Sequence, residues 1–473
     1  MSKERHWKKI GLVAAAITLS TAGLHAQPQP IEQSAQPDVR PLNVEETEVP
    51  TTFMEQDNLT GSWFGVRDRL SDYGLDFELT YTAEVWGNTT GGLERGTVYT
   101  GLGTLAADLD LEKLVGWEGA SVHNSWLWLS GRDASEDLTG NIFTISNIAG
   151  FNTFRMFELW FEQNLLDGAI SLRIGQLAAD EEFVISDYAA LFLNGTFGWP
   201  AFMSESLPNG GAAFPLGTLG ARLALHPTPW FSFLTAGFQG NPFAEDVNRH
   251  GFRWRLSEEN GYTWLNEAQF RWNHGEEDTG LPGQFRTGAW FSSARFADPG
   301  DEATERWGNY GFYFILDQML YREPPTVIEK EVYAKGGKGA YSKNPKEVIV
   351  TETIPSDQGL GIFNRFAFEP ESRNFLSFYF DAGLVYTGLI PGRDNDQLGA
   401  AIAYGKLSNG ARDSLASDGA IDPGYEIALE FTYMFEITPW WSFQPDLQVI
   451  LHPGATRDLG NALVVGARST IVF

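Results

Sequence analysis

Ala462-Leu463-Val464-Val465-Gly466-Ala467-Arg468-Ser469-Thr470-Ile471-Val472-Phe473 decides how the rest of the chain is read. A period of two puts Leu463, Val465, Ala467, Ile471 and Phe473 on one face, with Arg468 and Thr470 on the other. An amphipathic strand ending on an aromatic residue suits the closing strand of a barrel in lipid, where one face meets hydrocarbon and the other water. The stretch therefore proposes a solvent for the whole chain.

Composition agrees with that solvent. In 473 residues there are 51 glycines, 14% aromatics and only 20% charged residues, while the mean hydropathy is slightly negative. No stretch after residue 26 supplies the roughly 18 to 20 consecutive apolar residues of a membrane helix, so any spanning structure must be strands. Lys3, Arg5, Lys8 and Lys9, the apolar run from Ile10 to Leu19 and small residues up to Ala26 follow the order of a secretory signal, which assigns residues 1–26 to a signal peptide. The net charge of −28 argues against nucleic acid and polyanions as partners. The absence of cysteine excludes disulfides, thiolate metal sites and cysteine nucleophiles.

Residues 27–58 are rich in Gln, Pro and Glu and read as a flexible leader. Residues 59–74 predict a short amphipathic helix, with Ser62 as N-cap and Gly74 as terminator, packed against a barrel mouth. From Leu75 the period becomes two. Leu75, Phe77, Leu79, Tyr81, Ala83 and Val85 alternate with Asp76, Glu78, Thr80, Thr82, Glu84 and Trp86. Segments of this kind recur at 75–86, 102–111, 120–131, 154–163, 169–177, 218–226, 230–239, 261–273, 284–296, 308–321, 359–368, 375–387, 397–406, 425–436, 440–451 and 462–473. The set predicts an all-β, transmembrane antiparallel barrel of about sixteen strands, wide enough to enclose water.

Two of these segments, 120–131 and 230–239, carry apolar residues on both faces. The connections on the side of the last strand's end are short, as turns of such barrels are, except the segment 322–358, which reads as an insertion. Within it Val348-Ile349-Val350 has the makings of half a hairpin. Thr228-Pro229-Trp230-Phe231 and Thr438-Pro439-Trp440-Trp441 repeat one turn, with aromatics at the level of lipid headgroups.

Several strings resemble the carbohydrate-selective porin family typified by OprB. They are Leu59 to Arg67, Arg155 to Gln163, Ser171 to Phe183, Asn374 to Arg393, Gln444 to Gln448 and His452-Pro453-Gly454. The resemblance runs from about Leu59 to Phe473. It implies a sixteen-stranded outer-membrane barrel passing monosaccharides and related polar solutes in a Gram-negative bacterium, without cofactor, metal or chemical step. It also implies outer-membrane lipid and lipopolysaccharide as surroundings, and engagement of Phe473 by the barrel assembly machinery.

The connection 178–217 opens with Asp180-Glu181-Glu182 and carries Trp199 among other aromatics. It is expected to fold inward as a constriction loop. A sugar offers hydroxyls around its edge and weakly apolar faces, so a selective site needs charged hydrogen-bonding groups and an aromatic surface. Alternation places Glu158, Trp160 and Glu162 inward, opposite Phe157, Leu159 and Phe161; Arg173, Arg222, Arg365, Asp381 and Glu430 point inward as well. A ring of Arg173, Arg222 and Arg365 would favour a carboxylated sugar.

Enzyme readings find little support. His123, His226, His250, His274 and His452 show no metal-binding spacing. Glu158 and Glu162 lie about 13 Å apart along a strand, too far for a glycosidase pair. The acidic stretches Asp133 to Asp137 and Asp298 to Glu302 read as solvated loop. The alternatives are a general diffusion porin, a barrel with a structural or enzymatic role such as a lipid hydrolase, and a soluble secreted β-protein.

Overall fold

Alternating side chains become strands wherever each face finds its own solvent, and here they do so sixteen times around one ring. The computed structural model describes residues 52–275, 278–333, 347–354 and 356–473; residues 326–333 and 347–354 are described at the backbone alone. The signal segment and the leader up to residue 51 lie outside the described residues.

The strands are β1 (Leu75–Gly92), β2 (Gly96–Asp110), β3 (Ala120–Gly131), β4 (Thr153–Leu165), β5 (Ile170–Leu177), β6 (Thr218–Thr228), β7 (Phe231–Gln239), β8 (Tyr262–Trp272) and β9 (Gly283–Asp298). They continue as β10 (Asp301–Arg322), β11 (Thr326–Tyr333), β12 (Glu347–Ile354), β13 (Gly359–Phe368), β14 (Leu376–Thr387), β15 (Gln397–Leu407), β16 (Tyr425–Thr438), β17 (Trp441–Leu451) and β18 (Gly460–Val472). All but β11 and β12 form one closed antiparallel barrel, with β18 returning to β1. Closure leaves no edge to cap, which a sheet in hydrocarbon requires.

The outer face is apolar and exposed, as at Leu79, Val85, Leu105, Phe312, Leu384, Phe431 and Val465. The buried core lies inside the ring instead. Trp86, Trp199, Trp290, Phe183, Phe192, Phe197 and Phe202 are all enclosed there, five of them from the connection between β5 and β6. A barrel of this strand number is too wide for its wall side chains to fill. Inward-folded connections fill it.

Those connections explain the segments with two apolar faces. Leu127 and Leu129 on β3 face inward against Ile148 of the β3–β4 connection, and Phe238 on β7 meets Phe183 edge-on at 6.5 Å. Their inner faces meet protein, so the alternation weakens.

Three features differ from the expected pattern. The N-terminal helix spans Val66–Asp72 with Gly65 as its N-cap in the left-handed region (φ 79°), so Ser62 does not cap it. Ser62 instead accepts the Gly65 N–H at 3.2 Å within the preceding turn. The second is a bulge in β4: Ser125 pairs with Glu158 but Trp126 pairs with Met156, which leaves Phe157 as the extra residue. Phe157 is therefore buried with Phe214, ring centroids 6.0 Å apart, and not on the outer face. Finally, several strands outrun their apolar stretches. β10 begins at Asp301 because its first residues pair with β9 beyond the apolar wall, where alternation carries no signal.

β10 ends and β13 begins at the rim where β18 ends. β10 pairs directly with β13, and β11 and β12 pair only with each other, Val332 opposite Val348. Within 322–358 the described strands thus form a two-stranded sheet separate from the barrel. The repeated Pro-Trp pairs form two-residue turns at the same rim, between β6 and β7 and between β16 and β17. Trp230 is exposed there, while Trp440 is covered by Phe53 at 5.1 Å.

The closing seam is tightly packed. Gly466 lies opposite Trp86, and a Cβ on it would come within 2.1 Å of the indole. Gly466→Ala is expected to destabilise the barrel by about 1–3 kcal/mol through displacement of Trp86. The check is the temperature at which the folded band converts to the unfolded one on an SDS gel; an unshifted transition would refute it.

Candidate functional site

The connection 178–217 spans the lumen and is tied down along its length by inward side chains of six distant strands. Glu267 on β8 accepts the Val184 N–H at 2.9 Å. Asp317 on β10 accepts the Ser186 hydroxyl at 2.5 Å. Arg286 on β9 donates to the Ile185 carbonyl and to Asp187. Glu430 on β16 takes the amides of Leu193 and Asn194, at 2.5 and 2.9 Å. Gln444 and Gln448 on β17 bind Leu191 and Asn194.

Arg365 on β13 is the centre of this attachment. It donates to Asp381 on β14 at 2.6 to 3.1 Å, and to the carbonyls of Val184, Thr196, Phe197 and Gly198 at 2.7 to 3.2 Å. Their side chains are 1% and 0% exposed, so both are sealed under the loop. Arg365, Asp381 and Glu430 do point inward, but Arg365 and Glu430 bond to the loop, and Asp381 bonds to Arg365 and the Tyr379 hydroxyl. Trp199 is likewise enclosed within the loop, donating to the Gly210 carbonyl at 2.9 Å.

A second connection, between Gly131 and Thr153, also folds inward and locks onto the first. Asn147 N–H donates to the Leu193 carbonyl at 2.7 Å, and Gly195 N–H to that of Thr144 at 2.8 Å. Glu426 on β16 accepts the amides of Ile142 and Phe143. Glu84 on β1 accepts the Ser146 hydroxyl and pairs with Arg468 on β18, which also reaches Asn147.

The remaining candidates gather on the wall made by β2 to β6. Arg173 and Arg222 face each other across β5 and β6. Arg173 donates to Glu162 from Nε at 3.0 Å and Nη2 at 2.7 Å. Arg222 donates to Glu182 at 2.7 Å and to Ser171 Oγ at 2.6 Å, and lies 3.3 Å from Glu162. Glu182 in turn sits 3.6 Å from Arg173. Two guanidinium groups and two carboxylates thus alternate within one cluster. Paired charges of this kind hold one another in place while leaving donors and acceptors for a third party.

Trp160 has a different role from that expected. His123 on β3 stacks on its ring at 4.9 Å and 17°, and the Arg173 guanidinium lies 3.7 Å from its centroid. The flanking strands on either side cover the ring's two faces, so it serves as a platform for Arg173 and not as a bare stacking surface. Glu158, nearly buried, accepts the Ala178 N–H at 3.0 Å and so fixes where the long loop leaves β5; His123 lies 3.9 Å from its other oxygen and 2.7 Å from Asp108. Arg173 and Glu182 keep the most exposure within the charged cluster, at 17% and 23%. The imagined ring of three arginines does not form, because Arg365 is sealed on a separate wall and the other two are matched by carboxylates.

Asp180 sits at the root of the loop, buried, and accepts the Phe214 N–H at 2.8 Å. Burial pushes its carboxyl up from 3.8 to about 7, against the pull of that N–H. A raised acid binds its proton more tightly when folded, so its contribution is complete below about 4 and is lost as pH rises through about 7. Protection of the Phe214 amide against hydrogen exchange is expected to fall between pH 5 and 8, after correction for the intrinsic rate. Asp180→Asn should abolish the pH dependence; a flat profile in the parent would contradict the assignment.

A family model described as "Carbohydrate-selective porin, OprB family" matches residues 94–473. The chain belongs to this family. It is 24% identical to Porin B of Pseudomonas aeruginosa over 440 residues, covering 88% of this chain and 91% of that protein. A putative porin, QuiX, of Acinetobacter baylyi is 22% identical over 485 residues, covering 99% and 100%. The high-pH structure of Pseudomonas putida OprB superposes with a TM-score of 0.72 at 25% identity, covering 89% of this chain and all of that one.

Within this family frame the sequence reading missed the inward course of the β3–β4 connection and the part played by His123. A signal for the first was present, since Ile142 to Ala149 is too apolar for a solvated loop. His123 had none, because its contact with Trp160 is made across strands.

Proposed function

We propose that the protein is a passive outer-membrane pore whose solute selection is carried by the alternating Arg173, Glu162, Arg222 and Glu182 cluster. The family and the closed barrel indicate an outer-membrane protein of a Gram-negative bacterium. In that setting the rim with the short turns and the end of β18 faces the periplasm, and the long connections face outward.

The observation that carries the reading is a charged, partly exposed cluster on the wall across from the one that pins the loop. A sugar hydroxyl both donates and accepts. A wall that interleaves guanidinium donors with carboxylate acceptors meets neighbouring hydroxyls with both kinds of partner. Because the charges nearly cancel, such a wall favours a neutral polyol over an inorganic ion of either sign, and it offers no uncompensated cation for a carboxylated sugar. Monosaccharides and related polar solutes are the class that fits.

Reconstitution into a planar bilayer tests this directly. Conductance with concentration-dependent block by monosaccharides is the expected result. No channel activity from folded protein would sink the pore, and conductance without sugar block would replace selection with general diffusion.

A further inference from the structure

The geometry points to a phospholipid site outside the barrel, at the rim where β18 ends. The helix Val66–Asp72 stands against the outer wall there, leaving a cleft of about 310 Å³ lined by Trp63, Arg67, Phe77, Leu79, Leu105 and Phe473. Phe77, Leu79 and Leu105 belong to the exposed apolar face of β1 and β2, with Leu79 directly opposite Leu105. The cleft is therefore continuous with the surface that meets hydrocarbon. Apolar walls give water no partners, and apolar cavities take apolar ligands.

A cation stands at the head of this cleft. Arg67 Nη2 donates to the Phe473 main-chain oxygen at 2.7 Å, and its guanidinium carbon lies 4.8 Å from the Trp63 ring centroid. Its Nε and Nη1 are covered yet have no acceptor among the described residues. Lys113, whose Nζ donates to the Ser71 carbonyl at 3.2 Å, adds a second positive charge beside the same helix. Leaving guanidinium N–H groups covered and unpaired is costly.

An apolar cleft opening to hydrocarbon, headed by an under-satisfied cation at the water boundary, is complementary to an acyl chain with a phosphate headgroup. We propose that it holds one glycerophospholipid of the periplasmic leaflet, an acyl segment between the helix and β1–β2 and the phosphate at Arg67. A modest swing of the partly buried side chain brings its free N–H groups to a phosphate oxygen. The proposal rests on the outer-membrane reading. It concerns the outside of the wall, so it can fail while sugar block in a bilayer still succeeds.

The test is native mass spectrometry of the full protein in detergent, titrated separately with phosphatidylglycerol, phosphatidylethanolamine and diacylglycerol. The parent is expected to retain one phospholipid and little diacylglycerol. Arg67→Gln should lower phospholipid retention about tenfold, the scale of a charge-assisted hydrogen bond. Leu105→Trp, which fills the cleft and leaves Arg67 intact, should lower it similarly. Each variant is first shown to be folded by heat-dependent migration on an SDS gel and by unchanged sugar block. Equal retention by parent and both variants would overturn the site and leave only annular lipid. Diacylglycerol held as well as phospholipid would overturn the role of Arg67.

Discussion

Arg365→Ala is expected to release the loop 178–217 from the lumen and raise single-channel conductance several-fold. The substitution removes the guanidinium donors to Asp381, which keeps the Tyr379 hydroxyl at 2.6 Å, and strands the carbonyls of Val184, Phe197 and Gly198. Breaking one side of a buried ion pair costs about 3–5 kcal/mol, because the remaining charge has neither solvent nor partner. The cheapest relief is for the loop to lift and admit water to Asp381. Strand pairing on both sides of position 365 is untouched, so the folded band on an SDS gel should persist while conductance rises and sugar block weakens. Arg365→Lys should not restore the parent behaviour, since one ammonium cannot reach the carboxylate and carbonyls on several sides as the planar fork does. Unaltered conductance in a folded Arg365→Ala protein would show that the loop is held elsewhere.

Arg173→Ala should act in the opposite way, sparing the architecture and damaging selection. Glu162 would keep Ser171 and Arg222, and Glu182 would keep Arg222, so neither carboxylate is abandoned. What is lost is the exposed donor over Trp160 and one positive charge. A charge-assisted hydrogen bond contributes about 1.5–3 kcal/mol, so the sugar concentration giving half block should rise about tenfold or more. Cation preference should increase as well, because the cluster then carries a net negative charge. Block by sugar at parental concentrations would move Arg173 from solute contact to wall support. Arg222→Ala is a poorer probe: at 3% exposure that guanidinium holds the cluster together.

How far the fold could be read in advance follows from which solvent each face meets. Hydrocarbon imposes the same demand on every strand, so period two recurred through Leu75 to Val85 and again in the last strand. It faded where the demand was different. Leu127 and Phe238 face protein inside the ring, and the first residues of β10 lie beyond the apolar wall. The bulge at Phe157 was invisible because one inserted residue changes the facing of a side chain without changing its chemistry. Local composition could say that Asp381 and Glu430 point inward, since each is flanked by apolar neighbours, and the alternation of Phe363, Arg365 and Ala367 with Phe366 and Phe368 placed Arg365 on the same side. It could not say that Arg365 and Glu430 end on the carbonyls and amides of a loop more than 160 residues away in the chain, as the separations of Arg365 from Thr196 and Glu430 from Leu193 show. Arg173, Arg222 and Glu162 were easier, because the contacts that matter lie on adjacent strands.

The pairing of Glu84 with Arg468 has a meaning beyond its own stability. One partner comes from the first strand of the ring and the other from the last, and together they grip Ser146 and Asn147 of an inward connection that is itself bonded to the constriction loop. These contacts exist only when the two ends of the sheet have met. A ring still open lacks this clasp, so the β1–β18 seam and the inward connection support one another.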